Sequence, residues 1–362
     1  MTERTFSGAV CHVKQVHRDN PPDPFSGVAV EYEPLGDPEW PTHARVTLYD
    51  DASKQILSKN DSPDIGFRYS VNPYRGCTHA CAYCYARPTH EYLSFGSGTD
   101  FDTKIVVKRQ APKLLLEAFE KPSWLGEQVV FSGVTDCYQR AEASLQLTRQ
   151  CLEVCLEYRN PVGIITKSPL IERDVDLLKA LVERSLVDVM VSIPLWRREI
   201  AQALEPFVAT PARRMQTVAR LAAAGIPVGV MLGPTIPGLE DDWADILRTA
   251  REAGATSAAW VLLRLPGSVK TVFESRLRAK LPLQAEKVLH RITEAHGGKT
   301  YDPRFGVRGR GQGPYADALQ SLFDATTKRL GFEPPKTVSR QSPFQRPPKS
   351  GEQLGLFSSA AT

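Results

Sequence analysis

Three cysteines stand in one short run, Cys77-Thr-His-Ala-Cys81-Ala-Tyr-Cys84. They are spaced C-x3-C-x2-C, with an aromatic residue, Tyr83, just before the last of them. Thiolates this close in sequence suit an iron–sulfur cluster, whose irons normally take four cysteine ligands. The run supplies three. One iron would be open to another ligand, which makes the run a candidate catalytic site and not only an electron relay. Other chemistry fits the same residues. The three thiolates with His79 as a fourth ligand could hold zinc, the thiols could pair as disulfides, or they could simply be buried.

A reactive run needs a scaffold. From about 66 to 285, short apolar runs alternate with helical stretches. Strands are expected at 67–71, 129–132, 163–166, 187–193, 227–232 and 257–263. Amphipathic helices are expected at about 144–158, 172–185, 211–224 and 241–253, with Gly225 and Gly254 where helix stops belong. This alternation implies right-handed βαβ units and a parallel sheet. The expected class is α/β, an open, partial (β/α)6 TIM-like barrel, whose active site lies at the C-terminal ends of the strands. The cysteine run directly follows the first strand, which places it there. Residues 1–65, rich in Pro, Asp and Ser, read as a partly irregular arm with one short strand near 45–49. Residues 66–298 read as the barrel, 299–333 as a Gly- and Arg-rich loop with a helix ending near Leu330, and 334–362 as a disordered tail.

Composition bounds the class. At 362 residues and 42% hydrophobic content the chain can bury a large core, and a net charge of +4 does not by itself argue for nucleic acid. Seven cysteines, three of them at metal-ligand spacing, fit a reducing compartment better than a disulfide framework. The N-terminus does not read as a signal peptide, and no run approaches the ~20 apolar residues needed to span a bilayer. The expectation is a soluble, cytoplasmic protein.

The cysteine spacing, with the aromatic in that place, resembles the radical S-adenosylmethionine (SAM) enzymes. The resemblance implies a [4Fe–4S] cluster on Cys77, Cys81 and Cys84, with SAM chelated to the open iron. It also implies an electron donor and reductive cleavage of SAM to a 5′-deoxyadenosyl radical. Tyr83 is then expected near adenine. Ser132-Gly-Val-Thr-Asp136 ends the second strand, where Ser132 and Gly133 let the methionine end of SAM approach the backbone. An ordinary turn with Asp136 as helix cap is the plainer alternative. Lys167 ends the third strand and suits the SAM carboxylate, or is a surface lysine. Ser192 ends the fourth and suits a ribose hydroxyl, or bonds backbone. Glu142 braces the site or starts a helix. Arg264, after the sixth strand, contacts substrate or pairs with a carboxylate.

More of the text resembles one branch of these enzymes, the spore photoproduct lyase-like group labelled "DNA repair photolyase". The words are Asn60-Asp-Ser-Pro-Asp-Ile-Gly66, Asn72-Pro-Tyr-Arg-Gly-Cys77, Ala86-Arg-Pro-Thr-His90, Ser132-Gly-Val-Thr-Asp136, Ile165-Thr-Lys-Ser-Pro169, Glu205-Pro206, Arg213-Arg214, Gly225-Ile-Pro-Val228, Pro234-Thr-Ile-Pro-Gly238 and Arg304-Phe-Gly306. They span about residues 58–330. By that resemblance Lys167 matches a lysine at the SAM carboxylate and Ser192 a serine near the ribose. The lyase's hydrogen-returning cysteine, just after the second strand, falls on Gly133. Cys137, four residues on, is the nearest substitute donor, or only a small residue near the site. Thymine-dimer lysis therefore does not carry over. The substrate is expected to be damaged or modified nucleic acid. Alternatives are RNA, a peptide or a metabolite, or a non-catalytic, metal-stabilised nucleic-acid or clamp-associated module.

Outside the barrel, Cys151 and Cys155 share one helical face and read as small buried hydrophobes. The stretch 301–315 offers Arg304, Arg308 and Arg310 for phosphates and Tyr301, Phe305 and Tyr315 for stacking; the alternative is a connector whose arginines pair with carboxylates. Near the C-terminus, Gln353-Leu-Gly-Leu-Phe357 resembles the peptide by which bacterial DNA polymerases and repair proteins attach to the sliding clamp, which makes that clamp an expected partner.

Overall fold

The computed structural model describes residues 3–4, 46–184, 186–333 and 342–348. Among the described residues eleven strands form two sheets: β1 (Glu3–Arg4), β2 (Thr47–Asp50), β3 (Leu57–Lys59), β4 (Tyr69–Val71), β5 (Tyr74–Arg75), β6 (Lys104–Val107), β7 (Val129–Phe131), β8 (Val162–Thr166), β9 (Val187–Ser192), β10 (Val228–Thr235) and β11 (Ser257–Leu262). The larger sheet runs β11-β10-β9-β8-β7-β4-β3. Six of its strands, β4 and β7 to β11, are parallel and follow one another in chain order. This is the expected open (β/α)6 arrangement.

The parallel strands are buried on both faces because helices cover one side and the barrel interior the other. Val129, Val130 and Phe131 are all buried, as are Val189, Val191, Val228, Val230 and Leu232. The helices Leu147–Glu157, Val175–Val182, Pro211–Ala223 and Trp243–Glu252 supply the outer layer. Each lies within its expected span, and Gly225 and Gly254, at φ +79° and +96°, end the last two as left-handed stops.

Residues 46–65 of the arm contribute two strands, β2 and β3. β3 pairs antiparallel with β4 and covers the first edge of the barrel. β2 pairs parallel with β6 in the smaller sheet, ordered β1-β2-β6-β5. That sheet changes the route into the cysteine run. The chain leaves β4, crosses into β5, pairs with β6, and only then reaches Cys77. Both joining strands are too short to show a period, so sequence pattern did not reveal them.

The tail is also corrected in part. Residues 342–348 pack on the barrel. The Phe344 ring meets Phe119 and Tyr158 at 5.8 and 6.2 Å. Arg346 donates to the carbonyls of Phe119, Lys121 and Trp124, satisfying acceptors that the end of helix Ala111–Glu120 leaves open. The peptide Gln353-Leu-Gly-Leu-Phe357 lies outside the described residues. Among the described residues no helix is long and apolar enough to cross a membrane.

Candidate active site

The cysteine run sits at the C-terminal rim of the barrel, and backbone geometry shapes its entry. Gly76 has φ +77°, and a Cβ there would lie 2.8 Å from the His90 ring and 2.9 Å from the Phe101 carbonyl. Only glycine satisfies both limits. Cys77 N–H then donates to Phe101 O at 3.0 Å, Ala80 N–H to Cys77 O at 3.2 Å, and Cys84 N–H to Cys81 O at 3.3 Å.

Two side chains pin the run. Fully buried Gln139 accepts from Thr78 N–H at 3.2 Å and donates to Gly76 O at 2.9 Å. Fully buried Arg87 donates to the carbonyls of Cys81, Ser97 and Gly98 and pairs with Asp102 at 2.8 Å. Neither role was read from the sequence. Each partner lies at least six residues away, so no local spacing marks it.

Cys77 and Cys81 are buried and Cys84 half-buried, and all three thiols are free. Burial, then the charges of Asp136, Cys81 and Cys84, push the Cys77 thiol well up, and burial first of all takes Cys81 up to about 12. His79 turns Nδ1 toward Asp136 Oδ2, at 3.5 Å.

Tyr83, Lys167 and Ser192 come together. Lys167 Nζ lies 3.1 Å from Ser192 Oγ and 5.8 Å from the centroid of the Tyr83 ring. Ser192 Oγ also donates to Gly233 O at 2.8 Å. Beneath them is a buried network that the sequence did not announce. Tyr83 OH donates to Glu205, Arg214 pairs with the other Glu205 oxygen, and Arg214 also donates to Ser192 O at 2.8 Å. Burial works against the Glu205 charge, yet Arg214 and Lys167 hold its carboxyl below the usual range. Asp136 accepts from Thr166 Oγ1 at 2.7 Å and from Lys167 N–H at 2.8 Å, which sets the turn that aims Lys167.

The second strand's end behaves differently from the others. Ser132 sits at φ +70° and its Oγ accepts from Cys137 N–H, so its side chain serves its own turn. Gly133 is crowded: a Cβ there would stand 2.7 Å from Ser70 Cβ. No cysteine fits at this place without displacement. Cys137 is 1% exposed and packs in the main core with Cys151 and Cys155. Glu142 is a brace, bonded to Tyr74 OH, Thr148 N–H and Arg173.

The loop 301–315 takes its plainer reading. Arg304 pairs with Asp302, Arg308 with Asp64, and Arg310 bonds Gln320. Tyr315 bonds Glu240. Its arginines each have a partner within the fold.

A partial (β/α)6 barrel carrying a rim loop of three free thiols is the architecture of a cluster-dependent enzyme. The comparisons agree. The model of the Radical SAM superfamily matches residues 71–250. An uncharacterized protein of Mycobacterium tuberculosis is 37% identical over 232 residues, covering 63% of this chain and 68% of that one. An uncharacterized protein of Methanocaldococcus jannaschii is 31% identical over 176 residues, covering 49% of this chain and 63% of that one. The structure of spore photoproduct lyase complexed with dinucleoside spore photoproduct has TM-score 0.56 at 16% identity, covering 78% of each chain; at that identity the likeness shows the fold alone. The chain belongs to the radical SAM superfamily. It is a radical SAM enzyme, and membership implies a [4Fe–4S] cluster, SAM and a source of electrons.

Proposed function

We propose that Cys77, Cys81 and Cys84 hold the cluster, and that Tyr83, Lys167 and Ser192, with the backbone at Ser132 and Gly133, form the SAM pocket. The carrying observation is the meeting of Lys167 and Ser192 beside Tyr83 at the strand ends that flank the thiols. The Lys167 ammonium neutralises the SAM carboxylate, the Ser192 hydroxyl bonds the ribose, and the Tyr83 ring packs by the adenine. When bound, the cluster and SAM supply a 5′-deoxyadenosyl radical for hydrogen abstraction. The surrounding residues orient the cofactor and keep water from the reacting atoms.

The substrate in this reading is damaged or modified nucleic acid. Its support is the fold likeness to a lyase whose solved structure contains a dinucleoside, together with the sequence words shared with that branch. The test is anaerobic reconstitution, reduction and addition of SAM with and without oligonucleotide. Formation of 5′-deoxyadenosine, lost in Cys81→Ala and raised by oligonucleotide, supports the proposal. Turnover indifferent to every nucleic acid tried removes the substrate and leaves the chemistry. The sliding-clamp peptide is tested separately, by titrating 353–357 against a bacterial clamp; no binding, and no change with Phe357→Ala, dismisses it.

A further inference from the structure

Arg264 follows β11 at the barrel rim, and its surroundings differ from those of the arginines in the loop 301–315. Its guanidinium carbon lies 5.4 Å from the centroid of the Tyr85 ring, and Tyr85 is the residue next to Cys84. Tyr85 in turn donates its hydroxyl to Gly133 O, so the ring spans the mouth from the second strand's end to the last. The Arg264 Nε is buried with no hydrogen-bond partner among the described residues. Asp64, whose charge Arg264 feels, is already committed to Gly306 N–H and Arg308. The fold thus leaves a half-buried guanidinium on an aromatic platform, with its Nε unmatched among the described residues. An unmatched buried donor costs free energy that an anion would recover, and the planar fork of arginine matches phosphate and carboxylate oxygens in pairs.

We infer that Arg264, seated on Tyr85, is the anchor for an anionic group of the substrate next to its reacting carbon. Resting on the nucleic-acid reading above, that group is a phosphodiester. The seat determines specificity: it selects a substrate charged at the end that enters the mouth, and it sets the distance between that charge and the cofactor.

The test uses reconstituted holoenzyme and calorimetric titration with three probes: a thymidine tetranucleotide, its uncharged methylphosphonate counterpart, and inorganic phosphate. The wild type is expected to prefer the phosphodiester by about tenfold or more, the order expected of charge-assisted hydrogen bonds. Arg264→Gln is expected to erase that preference, and Arg264→Lys to keep part of it. Cluster absorbance and melting temperature report whether each variant is folded, and the lysine variant carries the test if the glutamine variant is not. Oligonucleotide binding that is equally tight and equally selective in Arg264→Gln overturns the seat while leaving the nucleic-acid reading intact. Phosphate binding that Arg264→Gln abolishes, in a wild type that ignores both oligonucleotides, upholds the seat and removes that reading. A wild type that binds none of the three probes overturns both.

Discussion

Lys167 and Ser192 meet at 3.1 Å between Nζ and Oγ because β8 and β9 are parallel and in register, Thr166 opposite Val191. The next residue on each strand therefore leaves the sheet at the same level. Two side chains 25 residues apart become one polar corner, in which Ser192 accepts from the ammonium.

That corner predicts the cofactor's grip. Lys167→Met removes the only charge proposed for the SAM carboxylate and is expected to weaken SAM binding by roughly tenfold or more. Ser192→Ala should do less, since Lys167 keeps its charge. Calorimetric titration of the reconstituted protein with SAM checks both, and equal affinities for the wild type and Lys167→Met would falsify the assignment.

The Glu205–Arg214 pair predicts stability. Both side chains are about 1% exposed and paired at 2.5 Å. Glu205→Ala leaves a buried guanidinium unmatched and is expected to cost about 3–5 kcal/mol. Replacing both residues by methionine should recover most of that loss. Urea unfolding of the two variants decides the matter. A single variant as stable as wild type contradicts the network.

Gly133 predicts a packing limit. Gly133→Ala drives a Cβ to 2.7 Å from Ser70 Cβ, with an expected cost of about 1–3 kcal/mol for overpacking. Ser70→Gly in the same chain should relieve it. If the thermal melts show no penalty in the single variant, the turn is looser than described.

Glu172 predicts a pH dependence. Burial pushes its carboxyl up, but hydrogen bonds from Arg213, Thr217 and Arg220 outweigh this and hold it down to about 2. A folded value below the ordinary 4.5 means the charged form stabilises the fold above about pH 4.5 and that this is lost as the pH falls through about 2. With Arg220 well exposed, the contribution is discounted to about 2 kcal/mol. Glu172→Gln should therefore be less stable at neutral pH and match the wild type at pH 2. Parallel unfolding curves at both pH values give the answer.

Phe344 predicts a structural strap remote from catalysis. It packs on Phe119 and Tyr158, at the end of the barrel away from the thiols. Phe344→Ala is expected to cost about 1–2 kcal/mol and leave SAM cleavage unchanged. Melting temperature measured beside 5′-deoxyadenosine formation separates the two effects; a drop in cleavage by the folded variant refutes the separation.

What the chain announces by itself is local or periodic. The cysteine run is legible because its three thiols lie within eight residues, and the six strands because apolar runs alternate with helical periods. Lys167 and Ser192 could be placed because a parallel barrel brings every strand's end to one rim. Tertiary structure alone decided the rest. Gln139 and Arg87 pin the run, Glu205 and Arg214 lie beneath Tyr83, and β5 and β6 form a second sheet, all through partners or strands too scattered or short to leave a period. The same contacts turned Cys137 into the core and gave Arg304 and Arg308 their carboxylates. A side chain's chemistry is written in its identity, but whether it faces solvent, a partner or the site depends on which distant segments the packed core brings beside it.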